Sequence, residues 1–267
     1  MAIFGFDFHL NYSKDNILNA LRPKRIVLHD LHDGNIDSHY HWGDLGQSVE
    51  NAAGNKFSLE TEVVEDGEFL NRLSVQHPYL EEIIVDESNH DIRLEKYVRS
   101  GIYRTDGHNA RFGLQLEDRY LQYREHVAKS RLLGNKPDHF CLHEFAVRRV
   151  FRELNKVTWV YDGQSRKING VEIGHHGFRG TNGSKATLAG YVRIGGKISY
   201  ADKHVPAIRD GAFQAGVVTL QQGYNKGPSS WAVSGILQYS NGSRTIITFQ
   251  NGKYHLKSVS KPIFGLD

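Results

Sequence analysis

The chain has 267 residues, 39% hydrophobic and 24% charged, a globular composition large enough for one big domain. No apolar run approaches the ~20 residues that span a bilayer, so no membrane association is expected; the opening MAIFGFDFHLNY also lacks the basic stretch and small-residue cleavage site of a secretion signal. A net charge of +3 permits a phosphate-bearing partner without demanding one, and the single cysteine, Cys141, excludes an internal disulfide and fits a reducing cytoplasm.

In chain order, residues 2–7 read as a core strand. A short helix is predicted over 14–21, stopped by Arg22-Pro23, and a second strand over 24–30. These make a βαβ unit, so the two strands should be parallel neighbours. Apolar spacing over 57–75 predicts a helix broken near Gly67, and LEEIIV (80–85) predicts a third strand. Residues 92–155 read as a mostly helical insertion in a single domain spanning 1–267. TWVYDGQSRKINGVEIG resembles a hairpin; KATLAGYVRIGG predicts a helix before the strand KISYA. From 211 onward, strand-like runs separated by Asn241-Gly242 and Asn251-Gly252 predict antiparallel hairpins.

Five of the apolar runs end in pairs that could bind metal: Asp7/His9, Asp30/Asp33, Asn89/His90, His175/His176 and Asp202/His204. Ligands gather beyond the carboxyl ends of strands in open α/β sheets. Five such ends therefore imply one polynuclear metal site. Most of the 15 histidines should be surface residues, since few sites use more than about five.

The order of these motifs resembles that of the calcineurin-like metallophosphoesterases, whose pattern runs D-x-H, G-D-x-x-D, G-N-H-[DE], H and G-H-x-H. The chain is most similar to their tailed-phage branch, one member of which degrades DNA during infection. The matching segments are VLHDLHDGNIDSHYH (27–41), SNHD (88–91), HHGFRGTNG (175–183) and YNKGPSSW (224–231). The resemblance implies an α/β sandwich of two mixed β-sheets flanked by helices, with two divalent metal ions. Asp7, His9 and His204 would hold the first ion, Asn89, His176 and Asp202 the second, and Asp30 would bridge them. His90 would face the scissile phosphate as a catalytic residue.

Asp202 stands where the family has histidine, and Ala201, His29 and Ser88 stand where it has glycine. The resulting oxygen-rich set favours Mn²⁺, with Mg²⁺ or Zn²⁺ as alternatives. Asp33 is expected to orient a ligand from behind. His39, His41, His175 and Arg179 are candidates for contact with ligands or substrate. His139 and His143 stand four apart in a helical stretch and, lacking a third ligand, read as helix surface. Arg148, Arg149 and Arg152 read as a solvated face or a surface for the DNA backbone, and Trp231 as core.

The expected activity is a metal-dependent phosphodiesterase or nuclease, a DNase that hydrolyses DNA with a hydroxide activated by two metals. The alternatives are a phosphomonoesterase on a small molecule or phosphoprotein, and a degenerate binding protein of the same fold. The expected location is the cytoplasm of an infected or lysogenic bacterial host; homo-oligomerisation is left open.

Overall fold

A computed structural model describes residues 2–4, 17–34, 36, 46, 49, 53–54, 57–217, 228–250 and 253–254. Strands β1 (Ala2–Phe4), β2 (Arg25–His29), β3 (Glu82–Asp86) and β4 (Val157–Val160) lie side by side and parallel. A second sheet holds β5 (Lys167–Ile168), β6 (Val171–Glu172), β7 (Lys197–Tyr200), β8 (Ala207–Arg209) and β9 (Ala212–Gln214), in the order β5-β6-β7-β9-β8. Strands β10 (Ser234–Gln238), β11 (Arg244–Gln250) and β12 (Lys253–Tyr254) complete the first sheet by antiparallel pairing, with β10 against β1.

The α-helices delimited among the described residues are α1 (Ile17–Leu21), α2 (Leu59–Gln76), α3 (Asp91–Ser100), α4 (Ala110–Leu132), α5 (Leu142–Val150) and α6 (Leu188–Val192). The α/β class expected from the sequence is thus the class of the structure. No described helix is long and apolar enough to cross a membrane.

The first sheet is buried on both faces, which is why RIVLH and EIIVD read as continuous apolar runs rather than alternating ones. Ile26, Leu28, Ile83 and Val85 pack into a core with helical residues such as Leu70, Leu94, Leu116 and Ala146. The alternate residues Val27 and Ile84 join Val160 and Ile236 in packing against Val171, Ile173 and Ala201 of the second sheet's side. Ile198, Tyr200 and Ala212 of the second sheet form a third cluster with Tyr191 of α6. Each fully buried large aliphatic side chain contributes about 1.5–3 kcal/mol.

Two expectations are corrected. The helix over 57–75 is not broken: α2 runs through Gly67 from its N-cap Ser58, whose hydroxyl accepts from the Thr61 N–H at 3.2 Å. Gly67 is needed for space, because a Cβ there would lie 2.2 Å from the Phe151 ring. Nor does TWV form a hairpin with the segment that follows it. It is β4 and pairs in parallel with β3 of the first sheet, while the hairpin is β5–β6 alone. The Asn241-Gly242 turn does join β10 to β11, with Gly242 at φ 77°.

Alanine normally favours a helix interior over glycine by about 1 kcal/mol. Here Gly67→Ala should instead lower stability by about 1–3 kcal/mol, the usual cost of overpacking. Urea unfolding measures the difference; a raised midpoint would mean that α2 does not lie against Phe151.

Candidate metal centre

His29 stands opposite Asp86 in the β2–β3 register, so Asp30 and the Ser88–Asp91 loop leave the same edge of the first sheet. Strands β6 and β7 are also parallel, and His176 and Asp202 follow their carboxyl ends. The last two loops lie back to back: the Ala201 N–H donates to the His176 carbonyl at 2.8 Å. Gly177 lies between them at φ 121°, where a Cβ would meet the Ala201 carbonyl oxygen at 2.6 Å. Only glycine satisfies both conditions.

Three side-chain oxygens from three loops converge on Nε2 of buried His176. Asn89 Oδ1 is 3.1 Å away, Asp30 Oδ1 3.2 Å and Asp202 Oδ1 3.7 Å. Ligand atoms sharing an ion at about 2.1 Å stand about 3.0–3.4 Å from one another, so Asn89 and Asp30 fit such spacing to His176. Asp202 is the loosest member, and its other oxygen accepts from Lys203 Nζ at 2.5 Å.

The electrostatics favour a cation here. Burial opposes charge on His176, but the Asp30 and Asp202 carboxylates overcome it and push the imidazole up to about 10. Burial likewise works to raise the Asp30 carboxyl, yet His176, His90 and His29 hold it below the usual carboxylate range. Among the described residues, the buried Asp30 Oδ1 makes no well-aligned hydrogen bond despite its proximity to Nε2. A proton on Nε2 stands where a divalent ion would satisfy all of these groups. The donor set, three oxygens and one nitrogen, suits Mn²⁺ or Mg²⁺.

The backbone is strained at the same place. Asp30, Asp202 and His204 adopt φ of 53°, 70° and 62°, a left-handed conformation that costs a non-glycine residue about 1–2 kcal/mol and that clusters at functional sites.

Two histidines are fixed by their partners. His176 Nδ1 lies 3.3 Å from His29 Nδ1. Burial, then the charge of His176, lower His29 to about 3, so neutral His29 accepts the Nδ1 proton and leaves Nε2 facing the three oxygens. Sequence reasoning had treated His29 only as a replaced glycine; its signal was its position directly before Asp30. Asp86 Oδ2, 3.5 Å from the same His29 Nδ1, belongs to a carboxyl that burial pushes well up, so this is a neutral pair. His90 Nδ1 faces two acceptors, the carbonyls of His32 at 3.1 Å and Asp33 at 3.0 Å. It must carry the proton, and Nε2 is left for other chemistry. His90 is close enough for its charge to act on Asp30 and His204.

The other named residues fall as follows. Asp7, His9, His39 and His41 lie outside the described residues. His204 is half-buried, with its ring edge-on to Trp231 at 4.3 Å. Asp33 touches His90 through its backbone carbonyl. His175 stacks beside Tyr191, ring centres 6.1 Å apart. Arg179 is ion-paired to Asp162 at 2.8 Å and lies over Phe178. Arg148 binds Glu144 and the Val157 carbonyl and covers Trp159, so it is structural rather than a free basic face.

His143 overturns its assignment to helix surface. His139 precedes α5 and is exposed, whereas His143 is fully buried. Asp66 Oδ2 accepts from His32 Nδ1 and from His143 Nε2, both at 2.9 Å. His143 Nδ1 is ion-paired to Asp91 Oδ1 at 3.0 Å. The His32, Asp66 and His143 group could hold a metal ion, each offering one ligand atom within 4.8 Å of the others. The sequence hid this group because Asp66 lies in α2, far from both histidines along the chain.

The chain is 32% identical over 240 residues to Protein A1 of Escherichia phage T5, an alignment covering 89% of this chain and 41% of that protein. The relative is a phage protein. The chain therefore spans about two fifths of its length. No protein-family model matches the chain, and no solved structure does.

Burial works against charge on His143, but Asp91 and Asp66 raise it to about 9 from the ordinary 6.5. Its contribution to stability is complete below 6.5 and is lost as pH rises through about 9. Asp66 and Asp91 are held low by their histidines against burial, so their contribution is complete above 3.8 and is lost on acidification. Thermal unfolding in EDTA should show the wild type losing stability between pH 6.5 and about 9, with a flatter profile for His143→Gln. Parallel profiles would show that His143 is not charged in the folded chain.

Proposed function

We propose that this chain is a metal-dependent phosphoesterase of the calcineurin-like kind, and that it cuts phosphodiester bonds of DNA. The observation that carries the reading is the convergence of Asp30, Asn89 and Asp202 on His176 Nε2, with His90 beside them. The motif order supports the family. The phage relative fits the phage setting, in the cytoplasm of an infected bacterium, but its printed name carries no activity.

Asp30, Asn89, His176 and Asp202 would hold one divalent ion, Mn²⁺ by preference. Asp7, His9 and His204 would hold a second, with Asp30 between the two. Bound divalent ions would lower the pKa of a water and stabilise charge on phosphate oxygens. The chain's own residues do the rest. His29 holds the His176 tautomer that offers Nε2. The carbonyls of His32 and Asp33 keep the His90 proton on Nδ1. His90 Nε2 is then available to bond a phosphate oxygen when protonated, or to pass a proton to the departing oxygen. Lys203 balances the second oxygen of Asp202, which lets a carboxylate stand where the family has histidine.

The test is incubation with linear and supercoiled DNA and Mn²⁺. Wild type should cleave. Asp30→Asn should be inactive through loss of metal, and His90→Ala should be slowed about 100-fold or more with Mn²⁺ still bound. Bis(p-nitrophenyl) phosphate should be preferred to p-nitrophenyl phosphate; the reverse preference would indicate a phosphomonoesterase. Near-zero bound Mn²⁺ at millimolar metal, with no turnover, would leave only the degenerate binding protein.

A further inference from the structure

We propose that Asp66 and His143, from helices α2 and α5, are positioning residues that set the His90 imidazole. This rests on the phosphoesterase reading for its consequence, though not for its geometry. The contacts form a closed circuit through His90. On the ring side, His90 Nδ1 donates to the His32 and Asp33 carbonyls, and the His32 ring donates to Asp66 Oδ2. Asp66 Oδ2 also accepts from His143 Nε2, and His143 Nδ1 pairs with Asp91 Oδ1. On the backbone side, Asp91 Oδ2 accepts from the Ser88 N–H at 2.8 Å, and Ser88 Oγ accepts from the N–H groups of His90 and Asp91.

His90 is thus gripped at its ring and at its backbone by one bracket. His32, His143 and Asp91 are buried to within 1% and Asp66 to within 8%. Water therefore does not compete for these bonds, and a broken one would leave an uncompensated buried group. Both ring nitrogens of His143 face carboxylate oxygens, an arrangement that suits a doubly protonated imidazolium; a metal ion in this group would have to displace one of those protons. The bracket joins the loop after β2 to the loop after β3 through helices that carry none of the metal-centre residues. Helix α2, between β2 and β3, and helix α5, between β3 and β4, therefore bear on the chemistry as well as on the core.

Two readouts test this. The first is hydrolysis of bis(p-nitrophenyl) phosphate with Mn²⁺, for Asp66→Ala and His143→Gln in wild-type and His90→Ala backgrounds. In the wild-type background each should lower kcat about 10- to 100-fold, the usual cost of losing an outer-shell partner, with KM and Mn²⁺ stoichiometry unchanged. In the His90→Ala background each should cost less than about twofold. Asp66→Asn, whose carbonyl oxygen still accepts from both imidazoles, should recover most of the rate. Equal costs in both backgrounds, or loss of a bound metal equivalent with either variant, would overturn the proposal. Should Asp66→Ala not fold, His143→Gln and Asp66→Asn carry the same comparison.

The second readout is ¹H–¹⁵N NMR of the imidazoles, which is independent of activity. His90 should be protonated at Nδ1 in the wild type and should change its nitrogen shifts in His143→Gln; unchanged shifts would overturn the proposal. If the shifts respond but wild type hydrolyses no phosphodiester, the positioning stands and the phosphoesterase reading falls. If His90→Ala abolishes turnover but neither Asp66 nor His143 affects it, only the positioning falls.

Discussion

Two carboxylates and an amide oxygen directed at one buried imidazole nitrogen are the constraint on which the site depends. Without a positive charge between them, Asp30 and Asp202 would repel each other and lose their hydration. The proton of His176 supplies that charge, which is why the imidazole is raised to about 10 while Asp30 is held low. A proton and a divalent cation compete for the same position. Such an arrangement adds little to a structural core, where apolar packing does as well or better. It is well suited to capturing a metal.

The rest of the fold serves this convergence. Parallel strands in both sheets bring loop ends to a common edge. The close packing of Gly177 on Ala201 fixes the His176 and Asp202 loops to each other. Left-handed turns at Asp30, Asp202 and His204 aim side chains that extended backbone would carry away. This strain costs stability, and the double-sided burial of the first sheet offsets it. Behind the site lie two layers of histidine contacts: His29 on His176, and the His32–Asp66–His143–Asp91 bracket on His90.

Much of this was legible in the sequence. Apolar runs ending in Asp, Asn or His mark the strand ends, and of the adjacent pair it is His176, not His175, that meets Asp30 and Asn89. Asp202, where the motif departs from the pattern it resembles, stands farthest from His176 Nε2 and pairs with Lys203. What stayed hidden depends on distant pairing. Gly67 suggested a break because its partner, Phe151, lies in another part of the chain. TWV looked like half of a hairpin because periodicity cannot say which sheet a strand joins. His143 looked like surface because nothing local to α5 reveals that Asp66 and Asp91 flank it.

The central claim is that one divalent ion binds between Asp30, Asn89, His176 and Asp202. Crystals grown with Mn²⁺ and measured at the manganese absorption edge test it most directly. The account predicts an anomalous peak within about 2.1–2.3 Å of His176 Nε2 and Asp30 Oδ1, lost in Asp30→Asn. Manganese absent from that position, or found only between His32, Asp66 and His143, would contradict it.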